Sequence, residues 1–201
     1  MSNHPPADAP LRVAEATSFL RDDLLGPLLR QRAVAARFKL DGNAEISSKQ
    51  WEIFAAVLLG RNGSSRAGDT DLEGVEVKSA KVGGSFEYQY HRHIGAAKLA
   101  GDAHAAHLFV SYAQGYTDLK IYLLRADQIH DAILAWKPRL EAAYGPAGSR
   151  QRCRVSLAYT FVRDHGMLIL EVADGRPQFA ASGTVADLLG APTCSSSCRA
   201  A

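Results

Sequence analysis

The segment Gly68-Asp69-Thr70-Asp71-Leu72-Glu73-Gly74-Val75-Glu76-Val77-Lys78-Ser79 constrains the chain more than any other. Glu73-Gly74 suits the two-residue turn of a hairpin, because glycine enters the φ > 0 region without a Cβ clash. That turn pairs Leu72 with Val75, Asp71 with Glu76, Thr70 with Val77 and Asp69 with Lys78. Alternation then sends Thr70, Leu72, Val75 and Val77 to one face and Asp69, Asp71, Glu76 and Lys78 to the other. The first face belongs in a core. On the second, Asp71 and Glu76 become direct neighbours, with Cβ atoms ~4.5–5.5 Å apart. Two like charges at that separation repel unless a cation lies between them. A divalent hard ion meets the need, and Mg²⁺ takes one or two carboxylates alongside waters and phosphate oxygens. Lys78 points to the same place, where it can assist a water and offset charge on a phosphorane-like transition state. The plainer alternative is a solvated hairpin with Asp69 and Lys78 as a surface pair.

The rest of the chain has to supply the core for such a hairpin. With 201 residues, 47% hydrophobic and 22% charged, its composition is that of a globular domain and excludes a disordered or collagen-like chain. The net charge of +2 neither favours nor excludes nucleic acid, because phosphate contacts need a local basic groove rather than a basic average. No apolar run approaches the ~18 residues of a membrane helix. The opening MSNHPPADAP lacks the basic and apolar regions of a secretory signal, and Cys153, Cys194 and Cys198 are too few for a disulfide framework. A reducing, cytoplasmic setting is expected, with no membrane partner.

Apolar periodicity predicts helices over 11–39, interrupted at Gly26-Pro27, and a third over 49–59 opened by the capping-box pair Ser47 and Gln50 and closed by Gly60. A helix over 94–106, strands over 107–112 and 119–124, and one helix over 125–143 follow. A hairpin of 153–163 and 166–172, turned at Asp164-His165-Gly166, completes the pattern. The expected organisation is a flexible arm at 1–10, one domain over 11–190 containing the hairpin 69–79, and a disordered tail at 191–201. The fold class is α/β.

Asp71, then Glu76-Val77-Lys78, resembles the PD-(D/E)XK signature of type II restriction endonucleases and related DNA repair enzymes. Upstream, Lys49-Gln50-Trp51-Glu52 on a helix, then Leu59-Gly60, is similar in order to methyl-directed mismatch-repair nickases, whose preceding helix carries an acid matched here by Glu52. The resemblance covers residues 47–80. It implies a mixed central sheet flanked by helices, and a Mg²⁺-dependent, sequence-specific endonuclease that cuts double-stranded DNA with a metal-activated water. Asp71, Glu76 and the Val77 carbonyl would hold the metal and Lys78 would assist the water. Nickase-like spacing favours Asp69 as the first acid, whereas the short hairpin favours Asp71. Glu52 reads equally as a solvated helix residue. A repair nickase, a junction resolvase and a non-catalytic DNA-binding domain are the alternatives, and a homodimer is compatible with each.

Residues 79–98 hold Lys81, Gln89, His91, Arg92, His93 and Lys98 with Glu87 the only acid, a composition suited to facing DNA beyond the catalytic strand. Arg61 and Arg66 flank a Gly/Ser loop that could clamp phosphate. His91-x-His93 has the spacing of half a zinc site but lacks partners.

Overall fold

The structure, a computed structural model, describes residues 9–40, 45–64, 68–145 and 151–190. Its centre is a five-stranded sheet in the order β1-β3-β4-β6-β7. The strands are β1 (Val75–Lys81), β3 (Ala106–Tyr112), β4 (Leu119–Leu124), β6 (Met167–Ala173) and β7 (Arg176–Ala180). β1 runs parallel to β3, and every other pair is antiparallel. A separate two-stranded sheet joins β2 (Phe86–His91) to β5 (Arg152–Leu157). The class is mixed α/β, as the sequence predicts.

Helices cover both faces. On one lie α1 (Val13–Phe19), α2 (Gly26–Arg37), α3 (Ser48–Leu59) and α8 (Val185–Leu189). Trp51, Phe54 and Leu58 of α3 are buried there with Val75, Val77, Leu108, Val110 and Ile121 of the sheet. On the other lie α4 (Gly95–Ala103), α5 (Ala126–Leu134), α6 (Lys137–Tyr144), α7 (Tyr159–His165) and the β2–β5 pair. Phe86, Tyr88, Tyr90, Leu99, Phe109, Leu124, Ile129 and Ile133 form that second core. β3 sits between the two cores, and its residues from Ala106 to Val110 alternate between them while all remaining buried. This is why Leu108, Phe109 and Val110 stand in succession with no polar residue between them.

Local chemistry explains the element that carries the site's flank. Ser47 Oγ accepts from the Gln50 N–H, and the Gln50 side chain accepts from the Ser47 N–H, so α3 begins where the capping box predicts. It ends at Gly60, whose φ of 60° is left-handed.

Four expectations are corrected. The helix over 11–39 is not broken at Gly26-Pro27. A π-helical turn, Leu20–Leu25, precedes the proline and carries the helix past its missing N–H. The helix over 125–143 is two helices, α5 and α6, with Pro138 in the first turn of α6. The 153–172 hairpin does not exist. β5 pairs with β2, α7 intervenes, and β6 joins the main sheet. Gly166 ends α7 rather than turning a hairpin, and a Cβ there would lie 2.5 Å from the Val162 carbonyl oxygen. Finally, 69–72 is not a strand: only Leu72 bridges Val75. The strands β2 and β7 and the helix α8 escaped the periodicity reading. The arm (apart from Ala9 and Pro10) and the tail lie outside the described residues, and Pro10 bridges Thr184. No helix among the described residues is long and apolar enough to cross a membrane.

Candidate active site

β1 is an edge strand, so the N–H groups on its outer side need partners. Asp71 supplies one. Its Oδ2 accepts from the Val77 N–H at 2.9 Å, in the place where a hairpin ladder bond would have formed. The expected adjacency of Asp71 and Glu76 therefore survives, although the hairpin that predicted it is reduced to the Leu72–Val75 bridge. Val75 and Val77 enter the core below α3, and Glu76 and Lys78 face the opposite side.

Three oxygens meet at the Lys78 ammonium. Nζ lies 2.5 Å from Glu76 Oε1, 3.2 Å from the Val77 carbonyl oxygen and 3.7 Å from Asp71 Oδ2. Tyr88 presents its ring to the same ammonium at 5.1 Å. These groups line a cleft of about 640 Å³ that also holds Glu52, Lys81, Glu87, Gln89, Lys98 and Asp102.

Behind Glu76 is a buried network. The Glu76 side chain is 1% exposed, and its Oε2 accepts from Lys98 Nζ at 3.1 Å. Lys98 also donates to Asp102 Oδ1 at 3.0 Å, and the Tyr90 hydroxyl donates to Asp102 Oδ2 at 3.0 Å. His107 Nε2 faces the Asp102 carbonyl oxygen at 2.8 Å, so that nitrogen carries the proton and Nδ1 accepts from the Tyr88 hydroxyl at 2.7 Å. Burial keeps this imidazole neutral, lowering its pKa to about 4.

The charges divide unevenly. Burial alone would raise the Glu76 pKa, but Lys78 and Lys98 outweigh it and hold the carboxyl below its ordinary range. Asp71 moves the other way, because burial and the Glu76 charge exceed what Lys78 and the Val77 N–H return. Asp102 is raised to about 6 by burial and by Glu76. Three carboxylates thus share two ammonium groups. A further cation would relieve the cluster.

Mg²⁺ fits this donor set. Among the described residues no group of three His, Cys, Asp or Glu converges as a metal site. A hard ion that keeps several waters needs only one or two carboxylates, however. Asp71, Glu76 and the Val77 carbonyl provide two carboxylates and a carbonyl that already face one cation.

The other expected site residues divide by position. Asp69 does not line this cleft. Its Oδ2 accepts from Ser64 Oγ at 3.0 Å, and it lines a neighbouring hollow with Gly68, Ile94 and His104. Glu52 does reach the cleft, paired with Lys49 at 2.5 Å. Lys81 stands on the rim, 3.5 Å from Glu45. Arg61 donates to the Glu73 carbonyl at 2.6 Å and so clasps the turn. Gln89 lies on the cleft wall, while His91, Arg92 and His93 are exposed beyond it. Arg66 lies outside the described residues.

Lys98, read from sequence as facing DNA, turns inward to Glu76 instead. Asp102 and His107 escaped the sequence reading of the site, and Tyr88, in the stretch expected to face DNA, is buried with its ring toward Lys78. The signal available was Lys98 and Asp102 at i and i+4 on a helix otherwise made of small and apolar residues. Lys98→Met leaves two nearly fully buried carboxylates without their shared cation. It is expected to lower the unfolding free energy by about 3–5 kcal/mol in urea melts. A loss below about 1 kcal/mol would show that the network carries little stability.

No protein-family model and no curated protein matches this chain.

Proposed function

We propose that this chain is a Mg²⁺-dependent endonuclease of double-stranded DNA, of the restriction type, on a restriction-endonuclease-like version of the mixed sheet. One observation carries the reading: Asp71, Glu76 and the Val77 carbonyl gather three oxygens around the Lys78 ammonium in a cleft. Those residues would hold Mg²⁺. When bound, Mg²⁺ supplies Lewis-acid polarisation of the phosphate and a lowered pKa for an attacking water.

The chain's own groups have separable roles. Glu76, clamped at Oε2 by Lys98, keeps Oε1 directed into the cleft. Asp71, tied to the Val77 N–H, keeps the second carboxylate on the same side. Lys78 Nζ orients the water and offsets charge developing on the phosphoryl oxygens. Water oxygen bonds to phosphorus as the P–O3′ bond breaks, leaving a 5′-phosphate and a 3′-hydroxyl.

Incubation of the purified protein with supercoiled plasmid and phage DNA tests the reading. Discrete linear fragments in Mg²⁺ are expected. Nicked circles alone would favour a repair nickase. Binding without any cleavage, in Mg²⁺ or Mn²⁺, would leave a non-catalytic DNA-binding domain.

A further inference from the structure

The β2–β5 pair stands apart from the main sheet, and its two faces differ sharply. Phe86, Tyr88, Tyr90, Cys153, Val155 and Leu157 point into the second core. The register sets Glu87 against Ser156, Gln89 against Arg154 and His91 against Arg152 on the opposite face. All six of these are exposed except Gln89, which is half-buried. Two arginines thus join, across more than sixty positions of sequence, a strand that leads out of the cleft.

We propose that the outer face of this ribbon enters the major groove of duplex DNA, with Arg154 reading a base and Arg152 holding a phosphate. The proposal rests on the endonuclease reading and adds the element that would supply its specificity.

Shape is the first argument. Two strands about 4.8 Å apart and about 17 Å long fit a groove roughly 12 Å wide, which admits a two-stranded ribbon. The second is the aim of Arg154. Its Nε lies 3.7 Å from Glu87 Oε1. With the Gln89 amide oxygen turned toward it, that oxygen accepts from Nε at 3.0 Å and Nη2 at 3.3 Å. A guanidinium steadied on one side offers its remaining donors as a fork, the geometry that matches guanine O6 and N7. The third is continuity. Glu87 and Gln89 lie on the wall of the cleft that holds Glu76 and Lys78, so a duplex with a phosphate in that cleft meets the ribbon directly.

The experiment uses the full chain in Ca²⁺ and a duplex selected by the wild-type protein from a random-sequence pool. Binding is measured at several salt concentrations against the selected and an unselected duplex. Arg154→Ala is expected to lose about tenfold or more of affinity for the selected duplex and little for the other. Arg154→Lys should do the same, because it keeps the charge and loses the fork. Arg152→Ala should weaken both duplexes alike and flatten the log–log salt slope by about one. Methylation of guanine N7 in the selected duplex should interfere with wild-type binding. Wild-type binding with all three variants unchanged would overturn the ribbon assignment alone. So would displacement by a minor-groove ligand without N7 interference. Failure of the wild type to bind any duplex would overturn the endonuclease reading and this proposal together.

Discussion

Glu76→Gln, Lys78→Met and Asp71→Asn should each lower the DNA cleavage rate by about 10³-fold or more, with the fold retained. Each variant keeps the shape of its residue and removes one charge from the point where three oxygens meet Lys78. Asn at 71 can still accept from the Val77 N–H through its amide oxygen, so its loss of activity would not be a loss of β1. The effects should be far from additive, because the residues act on one reacting phosphate. Asp69→Asn is the contrast, expected to cleave within about threefold of wild type, since its carboxylate is engaged by Ser64 away from the cleft. Single-turnover cleavage of one plasmid substrate, with circular dichroism to verify folding, measures all four. An inactive Asp69→Asn beside an active Asp71→Asn would transfer the first ligand to Asp69 and refute the arrangement described.

Cleavage is expected to stop completely on addition of EDTA and to return with Mg²⁺ or Mn²⁺, and Ca²⁺ should support DNA binding without cutting. The reason lies in the donor set: two carboxylates and one carbonyl would leave about half of an octahedral shell to water and phosphate, which suits Mg²⁺. Ca²⁺ takes six to eight oxygens at longer, looser distances and polarises water less. Acidification should weaken metal binding earlier than an ordinary aspartate would suggest. Burial and the nearby Glu76 raise the Asp71 pKa, so Asp71 takes up a proton, and ceases to be a ligand, at a higher pH than usual. Isothermal titration with Mn²⁺ across a pH series reads this directly. EDTA-resistant cleavage would remove the metal from the mechanism.

The capping box at Ser47 and Gln50, the left-handed Gly60 and the strands over 107–112 and 119–124 were legible in the sequence because each rests on chemistry within a few residues. The adjacency of Asp71 and Glu76 was legible for the same reason: a two-residue turn joins them. What the turn could not reveal is that Asp71 would take the Val77 N–H itself, so that 69–71 leave the sheet and Asp69 parts from Asp71. The tertiary structure decided that: β3 takes one side of β1 in parallel, 31 positions on at Val75↔Ala106, and on the open side the Asp71 carboxylate takes the Val77 N–H. It also decided the partner of β5. A strand and the next strand in sequence form a hairpin by default, but β5 buries Cys153, Val155 and Leu157 only by pairing with β2 and closing the second core. Lys98 shows the same division. Its spacing from Asp102 marks one face of a helix, and nothing local tells whether that face meets water or Glu76. Packing of α4 across the sheet settles it, because an ammonium 3.1 Å and 3.0 Å from two buried carboxylates recovers through ion pairing what it loses in hydration.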